Sequence, residues 1–143
     1  MIVVDSVGQA VAYLKTMQGN ILIATGSKEL HLYTEIEGYK DRCFARVLST
    51  PEAVEESAKL GFQGRHLIAM QGPFSREMNL ALLRYTDAAY FVTKESGKAG
   101  GFAEKLEAAR QAGSVLVVIG RPEESGEILE RTKEILLEQV KME

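Results

Sequence analysis

Five short apolar runs recur along the chain: ILIAT (21–25), RCFARVLST (42–50), HLIAM (66–70), AAYFV (88–92) and SVLVVIG (114–120). Each gives way to a small polar turn and then to a stretch with helical spacing. Continuous apolar runs of this length suit strands buried on both faces, and the helical stretches between them suit right-handed crossovers, the mark of parallel βαβ units. The expected fold is therefore an α/β three-layer sandwich around a five-stranded parallel, Rossmann-like or flavodoxin-like sheet. Strand order 2-1-3-4-5 is preferred, with 3-2-1-4-5 as the alternative.

The predicted helices are GSKELHLYTEIEG ending at Gly38, PEAVEESAKLG, REMNLALLRY, FAEKLEAARQAG and the closing EESGEILERTKEILLEQV. Ser49 or Thr50 is the expected N-cap of the second, with Pro51 in its first turn, and Ser75 caps the third. MIVVD and SVGQAVAYLKTMQG are less regular. Residues 1–19 read as a linker strand and helix arriving from another half, and 20–143 as the domain proper.

A chain of 143 residues, 45% hydrophobic and 26% charged, has the size and composition of one globular domain. No apolar run approaches the ~18 residues that cross a bilayer, and MIVVDSVGQA carries no export signal, so a cytoplasmic protein without membrane contact is expected. Residues 123–143 hold seven glutamates against Arg131, Lys133 and Lys141, a balance of −4 that leaves +1 on the other 122 residues. That is no footprint for nucleic acid. The lone Cys43 excludes an internal disulfide and reads as a buried structural thiol, and His31 and His66 lack metal-ligand spacing, so no metal is expected.

In open parallel sheets ligands sit beyond the carboxyl ends of the strands, where strand order reverses. Three such ends carry loops rich in glycine, hydroxyls and lysine: TGSKEL (25–30), QGPFSREMN (71–79) and TKESGKAGG (93–101). In the 2-1-3-4-5 order they follow neighbouring strands and converge on one rim. Glycines expose successive amides, and a following helix adds its positive end, so such a rim suits phosphate or carboxylate. The candidate binding residues are Thr25, Gly26, Ser27, Lys28, Gln71, Gly72, Pro73, Phe74, Ser75, Thr93, Lys94, Ser96, Gly97, Lys98, Gly100 and Gly101. Lys94 is also the candidate proton donor. The plainer alternative is that glycines merely turn the chain and serines merely cap helices. Phe74 suits a surface under a flat ligand or an anchor for its own loop. Glu104, Lys105, Glu107 and Arg110 read as a solvated helix face. Neither GxGxxG nor GxxxxGK[ST] is present, and no GxSxG elbow.

The ordered set TGSKEL, RVLSTPE, HLIAMQGPFSREMNLALLR and FVTKESGKAGGFAEKLEAA, ending in VLVVIGRP, resembles the C-terminal half of precorrin-6A reductases, including the cobalt-precorrin-6A reductases of cobalamin biosynthesis. The likeness runs from about Ile21 to Pro122. It implies two Rossmann-like halves with NADPH or NADH and a carboxylate-rich corrinoid-precursor macrocycle between them, and hydride transfer to one macrocycle double bond with protonation alongside. The N-terminal half is missing from this sequence, so the isolated domain is expected to be inactive. The other reading, a non-catalytic α/β module that binds an anionic tetrapyrrole or nucleotide, stays open from the residues alone.

Overall fold

The computed structural model describes residues 1–94 and 101–120. Six strands, β1 (Ile2–Val4), β2 (Asn20–Ala24), β3 (Cys43–Val47), β4 (Leu67–Ala69), β5 (Ala88–Lys94) and β6 (Val115–Ile119), form one parallel sheet in the order β1-β6-β5-β2-β3-β4. The expected five strands in order 2-1-3-4-5 are therefore corrected. In the same counting the core order is 3-2-1-4-5, and MIVVD adds a sixth strand. Burial explains the choice. An edge strand must tolerate water, and 2-1-3-4-5 would leave CFARV at the edge, yet all five of its residues are buried. Leu67–Ala69 is short and half-exposed, and it takes the edge instead.

The sixth strand follows from the same demand. Leu116–Ile119 are buried, so β6 needs neighbours on both sides. β1 supplies one, with Ile2, Val3 and Val4 in register with Val117, Val118 and Ile119, and Gly120 N–H donates to Val4 C=O at 3.0 Å. Helix α1 (Val7–Leu14), capped by Ser6 Oγ, then buries Val7, Ala10, Val11 and Leu14 against the sheet.

Alternation along the strands sends Ile21, Ile23, Cys43, Ala45 and Val92 to one face, beneath α1, the segment after β2 and α3 (Pro51–Lys59). Leu22, Phe44, Phe91 and Leu116 go to the other, beneath α4 (Arg76–Tyr85) and α5 (Phe102–Ala112). The caps fall where expected: Thr50 Oγ1 accepts from Ala53 N–H with Pro51 in the first turn, and Ser75 Oγ accepts from Met78 N–H.

GSKELHLYTEIEG is not the expected single helix. It forms a 3-10 helix over Leu30–Glu35, followed by the one-turn α2 (Tyr39–Arg42). The buried residues are Leu30, Tyr33 and Ile36, spaced by three, which matches the 3.0 residues per turn of the tighter helix. Cys43 is fully buried, as its composition suggested, and burial pushes its thiol up to about 12. The expected closing helix over 123–140 lies outside the described residues.

Candidate functional site

Strand order reverses between β2 and β5. The chain leaves β2 for one face of the sheet and β5 for the other, so the loops beyond their carboxyl ends diverge and leave a crevice. Thr25, Gly26, Ser27 and Lys28 follow β2 on one side of the switch point. Thr25 is buried, and its hydroxyl lies 3.0 Å from the Tyr33 hydroxyl, which ties the loop to the 3-10 helix below. Burial of Tyr33 raises its phenol well above the ordinary value, so that hydroxyl stays protonated. Gly26 sits at φ +85° with no heavy atom within 4 Å of where a Cβ would project. That left-handed turn favours glycine, and it leaves backbone open to close approach. Lys28 is exposed, and Ser27 C=O accepts from Leu30 N–H.

Thr93 and Lys94 end β5 on the other side. Thr93 is buried, while Lys94 reaches across the crevice and donates to Glu29 Oε1 at 2.9 Å. The two candidate loops are thus joined by an ion pair whose side chains are both about half-exposed. Glu29 was not singled out by the sequence pattern, although it stands beside Lys28 in TGSKEL. Ser96, Gly97, Lys98 and Gly100, expected in the same loop as Lys94, lie outside the described residues.

The third candidate loop goes elsewhere. It follows the edge strand β4, with β3 between it and β2, so it does not border the switch point as the 2-1-3-4-5 order required. Gln71 is exposed and its Oε1 accepts from Ser49 Oγ at 3.4 Å; Gly72 and Pro73 are exposed as well. This loop instead meets the start of α5. Pro73, Phe74, Ser75, Arg76, Glu77, Gly101 and Glu104 line an open pocket of about 670 Å³ between the N-terminal ends of α4 and α5. Gly101, at φ +80°, is the N-cap of α5. The Phe74 ring packs so close to Gly72 that a Cβ there would come within 3.1 Å of it.

Behind Phe74 stands a residue the sequence reading passed over. Arg46, on β3, is 6% exposed, with its guanidinium carbon 3.8 Å from the centre of the Phe74 ring and 5.6 Å from that of Phe91. Its Nη1 donates to Oδ1 of the fully buried Asn79 at 2.8 Å. Burial lowers the guanidinium pKa to about 10. The signal was present in the sequence: a single charge inside CFARV, a run otherwise apolar enough to be fully buried.

The model of the family Precorrin-6x reductase CbiJ/CobK matches residues 1–140. The chain belongs to that family. It is 35% identical over 139 residues to the cobalt-precorrin-6A reductase of Priestia megaterium, covering 95% of this chain and 54% of that protein. It is 48% identical over 83 residues to the cobalt-precorrin-6A reductase of Methanothermobacter thermautotrophicus, covering 58% of this chain and 28% of that protein. A solved structure, CobK precorrin-6A reductase, matches with a TM-score of 0.63 at 24% identity, over 84% of this chain and 46% of that one, a likeness of fold. The chain thus spans about half or less of the length of these relatives. Among the described residues no helix is long and apolar enough to cross a membrane.

Proposed function

We propose that this chain supplies one half of a cobalt-precorrin-6A reductase of cobalamin biosynthesis, acting in the cytoplasm. In this reading residues 20–143 carry the Rossmann-like domain, residues 1–19 lead in from the other half and add β1 and α1 to the same sheet and core, and an N-terminal domain faces the crevice between β2 and β5. The observation that carries the proposal is the family match over residues 1–140, which includes both loops of the switch point.

The crevice has the chemistry the ligands need. Gly26 opens the backbone to a phosphate or carboxylate, Ser27 and the Thr93 segment offer hydroxyls and amides, and Lys28 and Lys94 offer charge. An anion that displaces Glu29 from Lys94 exchanges one half-exposed ion pair for another, at little net cost. Bound NADPH or NADH supplies the hydride that, with one proton, reduces a macrocycle double bond. The chain's part is to hold the two ligands together and exclude water. Lys94 is the candidate proton donor, its ammonium paired with Glu29 until the anion binds. Ser96, Gly97, Lys98, Gly100 and Gly101, which follow Lys94 in the chain, are proposed to bind the same ligands. Gln71, Gly72, Pro73, Phe74 and Ser75 would meet the outer part of the macrocycle.

The test combines the chain with a separately produced N-terminal half and follows nicotinamide absorbance in the presence of cobalt-precorrin-6A. Oxidation of the cofactor is expected in the mixture and not with the chain alone. Halves that bind both ligands yet never oxidise the cofactor together would favour a non-catalytic module instead.

A further inference from the structure

Arg46 and Asn79 form a cluster of donors without an anion. The guanidinium has five N–H donors, of which Asn79 Oδ1 takes one, and no carboxylate is paired with it among the described residues. Asn79 is fully buried and its Nδ2 has no hydrogen-bond acceptor. The amide cannot be turned round to cure this, because the NH₂ group would then face the guanidinium. The buried donor without an acceptor is costly, and the largely desolvated cation beside it has no counter-ion among the described residues. What would relieve both is one acceptor bearing negative charge.

We propose that Arg46 and Asn79 are a receptor for a single carboxylate of a planar ligand, which enters past Phe74 from the pocket between α4 and α5. Phe74 both lines that pocket and stacks on Arg46, so its ring stands between the pocket and the guanidinium and presents an aromatic surface to a flat ligand. The planar guanidinium fork matches a carboxylate bidentately. Phosphate also fits the fork, but on the pocket wall Arg76 is paired with Glu77 at 2.8 Å, and Glu104 leaves a net negative charge that repels a dianion more than a single carboxylate. The choice of ligand rests on the reading given under Proposed function; the receptor itself rests on Arg46, Asn79 and Phe74.

The experiment titrates the 143-residue chain with uroporphyrin, a planar tetrapyrrole with carboxylate arms, and in parallel with NADPH and inorganic pyrophosphate. The deciding variant is Asn79→Asp, which places a carboxylate on Arg46 from within and forfeits only an Nδ2 that has no partner. It should melt at or above the wild-type temperature and bind uroporphyrin about tenfold or more weakly, the loss of one charge-assisted contact, with NADPH unaffected. A folded Asn79→Asp that binds uroporphyrin as the wild type does would overturn the proposal. So would loss of pyrophosphate and NADPH binding with uroporphyrin unchanged, which would mark a phosphate site. Arg46→Lys, which keeps the charge and loses the fork, gives the same comparison if Asn79→Asp does not fold. In the wild type, the Arg46 Nε and Asn79 Nδ2 resonances should shift on adding uroporphyrin. If they shift with sodium propionate while no tetrapyrrole binds, the receptor stands and the functional reading falls; if they shift with neither, both fall.

Discussion

Lys94 and Arg46 stand near the carboxyl ends of β5 and β3, on either side of β2, and the fold treats these two cations in opposite ways. Lys94 is half in water and paired with Glu29 across the switch point. Arg46 is enclosed between two aromatic rings, with an amide in place of a carboxylate. An exposed pair contributes about 0–1 kcal/mol and exchanges partners readily. A buried cation is held by its surroundings, and its worth depends on what completes them. The first arrangement suits a ligand that comes and goes at a rim. The second suits one particular group in one particular place.

The sharpest way to break this contrast is to remove each cation in turn. Arg46→Ala should cost about 2–5 kcal/mol in urea denaturation, since it leaves a cavity under Phe74 and Asn79 Oδ1 without its donor. Arg46→Met, which fills the volume and removes the charge, should recover the part of that loss due to the cavity and not the part due to Asn79 Oδ1. A cost below about 0.5 kcal/mol for Arg46→Ala, the size of an ordinary surface change, would mean that the residue is not enclosed as described.

Cys43 opens the same strand on the opposite face, and it allows burial around β3 to be read by titration. Its thiol is raised from 9.0 to about 12 by desolvation. Above pH 9 the unfolded chain loses this proton while the folded chain keeps it, so stability should fall between pH 9 and 12, by at most about 1.4 kcal/mol per pH unit. Denaturation midpoints of wild type and Cys43→Ala across that range should diverge in slope; parallel slopes would place the thiol in contact with water.

At the rim the effects are smaller. Gly26→Ala puts a side chain on a left-handed residue in open space, for a cost of about 1 kcal/mol in thermal denaturation, and it should weaken NADPH binding because the new methyl projects into the crevice. Lys94→Ala should change stability by less than about 1 kcal/mol yet weaken NADPH binding measurably in calorimetric titration. If Lys94→Ala proved as destabilising as Arg46→Ala, the contrast between the two cations would fail.

The layers of this fold were legible in the sequence because strand and helix periods differ, and the caps at Thr50 and Ser75 because hydroxyls before helices have one common use. Strand order was not, since it depends on how much burial each strand demands compared with its neighbours. The single charge in CFARV and the exposure of HLIAM carried that information only in comparison. The joining of TGSKEL to Lys94 was foreseen as proximity of loops, but the ion pair through Glu29 depends on side-chain reach across β2 and β5. The composition of QGPFS marks a rim loop but not its neighbour, which depends on strand order. Arg46 was missed because an arginine in a strand ordinarily marks an exposed edge, and only tertiary packing reveals otherwise.

Ligand binding at the reversal between β2 and β5 can be observed residue by residue. Amide resonances of the 143-residue chain followed during titration with NADPH test it most directly. Shifts are expected to concentrate at Thr25–Lys28 and at Thr93 and Lys94, with the opposite ends of the strands, around Asn20 and Cys43, unmoved. Shifts confined to those opposite ends, or none at saturating NADPH, would contradict it.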